Sequence, residues 1–189
     1  GQAYHEKGID PLRGIEVLEE CLRSRPGDWT ALALLRDLYD RDGNLEGLAS
    51  VYRRQLDISH DPPDRLAILR SLAALYHDRL KQYRETGWAC TQILDLVPGD
   101  EEAVRRLTDV LEVMEDWPKL IKTLRYHAQT AETLEEQHAT YRRMAKLAEE
   151  RLSDAGLAAE AWEGIRQVEP ESEEAVRQLL SLYERLGRW

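Results

Sequence analysis

The residues able to do acid-base or metal chemistry are few, and their spacing does not gather them. The five histidines are His5, His60, His77, His127 and His138. None forms a His-x3-His pair or stands beside a cysteine, so they read as surface or groove residues rather than ligands. Cys21 and Cys90 belong to no Cys-x-x-Cys pair and cannot make a disulfide framework. No Gly-rich phosphate loop, Gly-x-Ser-x-Gly elbow or His-Glu-x-x-His motif occurs. The expectation is a chain with no catalytic residue, no metal site and no cofactor.

Carboxylates are abundant, in pairs such as Glu19-Glu20, Glu101-Glu102, Glu135-Glu136, Glu149-Glu150 and Glu173-Glu174. Acids at a helix's first turn complement its dipole, and the rest read as solvated faces. Trp29, Trp88, Trp117, Trp162 and Trp189 read as core or inter-repeat packing rather than an aromatic ligand cage. With 26 Lys+Arg against 36 Asp+Glu, the net charge is −10. That balance argues against nucleic-acid binding, which needs a basic face. No apolar run approaches the roughly 20 residues of a membrane span, so no membrane insertion is expected.

The elements that would position these residues are helices. Phe is absent, and Gly and Pro number eleven and seven in 189 residues. Leu, Ala, Glu and Arg dominate, a helical vocabulary. Pro26-Gly27-Asp28, Pro98-Gly99-Asp100 and Pro170-Glu171-Ser172 stand at a constant interval of 72 residues. Laying 26–97 over 98–169 without a gap gives 16 identities, among them Ala31/Ala103, Leu35/Leu107, Arg70/Arg142 and Ile93/Ile165. A third copy begins with Glu173-Glu174-Ala175-Val176-Arg177, matching Glu101-Glu102-Ala103-Val104-Arg105. Apolar spacing and breakers predict four helices in the first unit, at about 29–42, 45–59, 65–80 and 84–97. His60-Asp61-Pro62-Pro63-Asp64 is read as the break between the second and third.

Each unit is then two helical hairpins. A lone hairpin cannot bury its apolar face, so the hairpins must stack. The expected fold is all-α, a right-handed α-solenoid of stacked antiparallel helical hairpins. Its divisions are a partial hairpin at 1–25, hairpins at 26–61, 62–97, 98–133 and 134–169, and a partial hairpin at 170–189, all in one repeat domain. Because the last copy stops where its second helix should begin, we expect an excerpt of a longer array. The last helix is expected to expose Leu179, Leu182 and Leu186, a surface for end-to-end self-association.

The hairpins resemble tetratricopeptide repeats. Leu32, Leu35 and Tyr39 take the first-helix positions, Gly43 the turn, Leu45 and Leu48 the start of the second helix, and Tyr52 its aromatic. Leu69, Leu72, Ala73 and Tyr76 begin the next hairpin, with Tyr83, Ile93 and Pro98 after them. Arg36 and Thr108 stand where the family places Gly or Ala, and one extra residue lies between Tyr76 and Tyr83. The alternation of two hairpin types is similar to the long arrays of bacterial tetratricopeptide proteins.

The resemblance implies that first helices face a concave groove, where equivalent residues form ladders. Arg70, Arg105, Arg142 and Arg177 share one such position, with Ala33 as the exception. One turn on come Asp37, Ala74, Asp109, Lys146 and Ser181, and beyond them Asp40, His77, Glu112, Glu149 and Glu184. Guanidinium groups can fork onto carboxylates. The implied function is a non-catalytic protein-protein interaction scaffold, holding a peptide with acidic side chains or a free C-terminus against Arg70, His77, Arg105, Asp109, Arg142, Lys146 and Arg177. The bland reading pairs Arg105 with Asp109 at i,i+4 and uses the other arginines to knit neighbouring hairpins. An alternative function is the effector-binding sensor or regulatory arm of a multidomain protein.

Overall fold

The computed structural model describes residues 11–187. The readings of His5 and Trp189 lie outside the described residues. Every regular element there is helical: α1 (Pro11–Ser24), α2 (Trp29–Asp42), α3 (Leu45–Ile58), α4 (Pro62–Ala74), α5 (Tyr83–Leu96), α6 (Glu101–Val113), α7 (Trp117–Thr130), α8 (Leu134–Glu150), α9 (Ala155–Val168) and α10 (Glu173–Leu186). A π-helical stretch, Leu75–Leu80, extends α4. The chain forms two compact units, Gly1–Leu96 and Val97–Trp189.

Capping explains where the helices begin. Asp28 accepts from Ala31 N at 3.0 Å, Asp100 from Ala103 N at 2.8 Å, and Ser172 from Ala175 N at 3.4 Å, each satisfying an orphan first-turn donor. Asn44, Asp116, Thr133 and Asp154 do the same for α3, α7, α8 and α9. The hairpin turns repeat as well. Gly43, Glu115 and Gly187 adopt positive φ (72°, 54° and 64°), and so do Lys81 and Ser153 (56° and 53°). Both sets are spaced by 72 residues.

In the first unit α1 to α5 pack in chain order, each against its neighbour. Leu22, Ala31, Leu32, Leu35 and Val51 make a buried cluster there, with Ile15, Leu18 and Tyr39 against it. The second unit stacks α6 to α10 in the same manner. Leu120, Met144, Ile165 and Leu182 are fully buried in it.

Two expectations are corrected, and one departure from the family's spacing is explained. The third helix starts at Pro62 rather than 65, because its two prolines occupy the first helical turn, where a missing N–H costs nothing. The departure is the extra residue between Tyr76 and Tyr83. It is absorbed as π-helix, ended by Lys81 and closed by Gln82 N donating to Tyr76 O at 3.0 Å. Leu179 and Leu182 are buried, and the exposed apolar residues of α10 are Val176 and Leu180. The 100° helical step puts 175, 179 and 182 on the side facing α9, with 176 and 180 turned away from it.

Candidate functional site

A cleft of about 330 Å³ opens in the second unit between α6, α7 and α8. Its walls carry Glu101, Val104, Arg105 and Thr108 from α6, Leu124 and His127 from α7, and Glu136, Thr140 and Arg143 from α8. The helical period explains the selection, since 101, 104, 105 and 108 share one face of α6, as do 136, 140 and 143 of α8. Thr108 Oγ1 donates to Arg105 O at 2.9 Å, and His127 Nδ1 lies 3.3 Å from Thr140 Oγ1.

The cleft's cations lean on exposed carboxylates. Arg105 forks onto Glu102, Nε to Oε2 at 2.9 Å and Nη2 to Oε1 at 2.6 Å, and its Nη1 reaches Asp109 at 3.5 Å. Arg143 Nη2 donates to Glu112 Oε1 at 2.5 Å, linking α8 to α6. Exposed pairs of this kind are worth about 0–1 kcal/mol each. A guest carboxylate can therefore exchange with them at small cost.

The other residues of the expected ladder are spread over both units. Arg70 is exposed on α4, and His77 is half-buried in the π-helical stretch, its Nδ1 2.8 Å from Asp78 Oδ1. In the second unit Arg142 turns to Glu174 of α10, with Nε at 3.0 Å and Nη2 at 2.6 Å from the same oxygen. Lys146 on α8 and Arg177 on α10 are exposed, and Asp109 is half-buried. Arg105 and Asp109 thus meet as i,i+4 partners, and Arg142 knits two hairpins. His127, read above as a surface or groove histidine, lines the cleft, and so do Arg143 and Thr140, which had not been singled out. The signal for Arg143 was available, because Arg142-Arg143 are adjacent and one helical step separates a knitting position from a cleft position.

Two tyrosines outside the cleft are held above the ordinary phenol value of 10.0. For Tyr39 burial contributes most, then the charge of Glu19 and the hydrogen bond to it at 3.2 Å, with Arg54 acting the other way. For Tyr141 burial again leads, then Glu160, opposed by Arg125. Among the described residues no group of three or more His, Cys, Asp or Glu is placed to hold a metal ion, and no helix is long and apolar enough to cross a membrane.

The aromatic residues are used in packing between helices. Arg53 lies 5.6 Å from the Tyr76 ring and 5.5 Å from the Trp88 ring, and donates from Nε to Tyr76 Oη at 2.8 Å. Arg125, equivalent to Arg53 at the 72-residue interval, pairs instead with Glu160, the equivalent of Trp88, at 2.7 Å. One position thus joins successive second helices by a cation-π contact in the first unit and an ion pair in the second. Arg151 covers Trp117 at 5.3 Å, and Trp162 is buried. Trp29 and Trp88 remain 45% and 41% exposed, against the expectation of packing.

No protein-family model matches the chain, and no curated protein matches it. Among solved structures it is similar to the MamA protein, at 18% identity over 84% of this chain and 82% of that one, with a TM-score of 0.48. It is similar also to a tetratricopeptide repeat protein from Parabacteroides merdae ATCC 43184, at 17% identity over 95% and 68% of the two chains and a TM-score of 0.48. A third is BtubC (BKLC) from P. vanneervenii, at 17% identity over 94% and 82% and a TM-score of 0.43.

Proposed function

We propose that this chain is a non-catalytic interaction scaffold, a divergent tetratricopeptide-like array built on a 72-residue double repeat. Its guest is an extended peptide segment bearing an acidic side chain or a free C-terminal carboxylate. The observation that carries this reading is the cleft between α6, α7 and α8, where Arg105 and Arg143 project guanidinium groups whose present partners are exposed carboxylates of the chain itself. The 72-residue interval draws support from the three N-caps and from the positive-φ residues, which recur at that spacing.

A guest carboxylate at the cleft takes the place of Glu102 on the fork of Arg105, or of Glu112 on Arg143. Thr108, Thr140 and His127 supply polar groups beside it, and Leu124 and Val104 an apolar floor. The rest of the ladder, Arg70, His77, Asp109, Lys146 and Arg177, extends the recognition surface along first helices in this reading.

The test is a peptide array of matched acidic, neutral and basic segments, each with free and amidated C-termini. The reading predicts retention of acidic or free-carboxylate peptides, lost when Arg105→Gln and Arg143→Gln are combined in a chain of unchanged helicity. Indifference to peptide charge, or equal retention by the variant, overturns it.

A further inference from the structure

Helix α7 departs from the charge pattern of the chain. Among the described residues it is the only helix without Asp or Glu, in a chain that carries 36 of them. Its cations besides His127 are Lys119, Lys122 and Arg125. The 100° step per residue puts Lys119, Lys122, Tyr126 and Gln129 on one stripe, and all four are exposed. Leu120, Ile121, Leu124 and Ala128 fill the opposite side and are buried. Leu124 and His127, which α7 gives to the cleft, do not belong to the stripe.

Little within the chain answers these groups. Lys119 Nζ lies 3.1 Å from Asp116 Oδ2, yet the lysine side chain stays 73% exposed. Lys122 and the Tyr126 hydroxyl make no hydrogen bond or ion pair among the described residues, and Tyr126 is 45% exposed. Arg125, at the edge of the stripe, is held by Glu160 of α9. At the 72-residue interval the positions of Lys119, Lys122 and Tyr126 are Gly47, Ser50 and Arg54, and Arg54 is paired with Glu19. The basic and aromatic stripe is thus particular to α7, and pairing within the chain does not explain it.

Charge and size decide what would cover it. From Lys119 to Gln129 the stripe runs about 15 Å at 1.5 Å per residue, nearly three turns of a single facing helix. Three cations are too few to hold a chain of net charge −10 on a nucleic-acid backbone or an anionic bilayer, where each adds about 1 kcal/mol near the surface. A protein helix with carboxylates one turn apart meets Lys119 and Lys122 one for one, and its neighbouring apolar side chain lies on the Tyr126 ring.

We infer that the outer face of α7 is a docking surface for an acidic amphipathic helix of a partner protein, with Lys119 and Lys122 taking its carboxylates and Tyr126 its apolar side chain. The surface is independent of the cleft, because none of these three residues takes part in it.

Anisotropy titration tests this with a labelled helical peptide carrying Glu at i, i+3 and i+7 and Leu at i+4, beside the same peptide with Gln for Glu. The acidic peptide is expected to bind, more weakly as salt rises, and the Gln peptide to bind about tenfold less tightly or worse. Lys119→Glu/Lys122→Glu and Tyr126→Ala should each lower the affinity by about tenfold, with unchanged helicity and melting temperature because all three positions are exposed. Arg105→Gln/Arg143→Gln should leave it unchanged, which separates this surface from the cleft. No binding of the acidic peptide, binding that survives Lys119→Glu/Lys122→Glu, a loss confined to the arginine variant, or attachment to phosphatidylserine/phosphatidylcholine vesicles or single-stranded DNA in place of the peptide would overturn the inference.

Discussion

Arg142 donates from both Nε and Nη2 to a single carboxylate oxygen of Glu174, at 3.0 and 2.6 Å, and so ties α8 to α10, the first helices of successive hairpins. Both side chains are about half exposed, at 48% and 47%. The interaction therefore helps hold neighbouring hairpins together without dominating their stability. A double-mutant cycle with Arg142→Ala and Glu174→Ala should give a coupling of about 0.2–1 kcal/mol, shrinking as salt is raised. A coupling of several kcal/mol, or none at low salt, would contradict the geometry.

The turn at Glu115 carries strain that its counterparts avoid. Gly43 and Gly187 adopt positive φ as glycines, whereas Glu115 does so with a side chain, at φ 54°. The left-handed conformation costs an L-residue about 1–2 kcal/mol, and glycine gives part of that back as unfolded-state entropy. Glu115→Gly should raise stability by about 0.5–1 kcal/mol in thermal or urea unfolding. A loss of stability would mean that the Glu115 side chain makes a stronger contribution than its exposed position indicates.

Close approach of helices fixes two other glycines. A Cβ on Gly164 would lie 2.5 Å from the Tyr141 ring, and one on Gly47 would lie 2.7 Å from the Tyr39 ring. Gly164→Ala and Gly47→Ala should each destabilise by about 1–3 kcal/mol, despite alanine's better helix propensity. Pairing Gly164→Ala with Tyr141→Leu should recover part of the loss. If Gly164→Ala stabilises, the helices are not packed as closely as described.

Much of this architecture is legible from residues alone. Asp28, Asp100 and Ser172 mark helix starts because a short side-chain acceptor there meets an orphan N–H, a local rule that needs no tertiary information. The phase of α10 was not legible. Choosing Leu179 and Leu182 as exposed required knowing which side α9 covers, and an amphipathic helix with leucines at 179, 180 and 182 leaves that to packing. The π-helix at 75–80 escaped for a related reason: one extra residue can be taken up by a looser loop or a wider turn, and Tyr76 bonded to Gln82 N decides for the latter. In the cleft, the type of residue was legible and its direction was not. Arg142 and Arg143 differ by a single helical step, yet one knits to α10 and the other enters the cleft.

Alkaline pH should weaken the fold through its tyrosines. Tyr39 and Tyr141 have phenol values raised above 10.0 in the folded chain, by burial first and by Glu19 and Glu160 next. The native state thus holds these protons more tightly than the unfolded one, and the stability they contribute is fully present below the unfolded value. It is lost as pH rises through the folded values. Unfolding free energy should fall above about pH 10, and a Tyr39→Phe/Tyr141→Phe variant should show a shallower fall. An identical alkaline slope in the variant would assign the fall to other groups.

The central claim is that the cleft between α6, α7 and α8 recognises a carboxylate on a peptide through guanidinium forks. Fluorescence-anisotropy titration of one acidic peptide tests it most directly, comparing its free and amidated C-termini and its Asp/Glu-to-Asn/Gln version on the native chain and on Arg105→Gln/Arg143→Gln. The account predicts binding that weakens with rising salt, falls when the peptide loses its carboxylates, and falls by about tenfold or more when the two arginines are replaced. Affinity that ignores the peptide's carboxylates, or that survives the loss of both arginines, would contradict it.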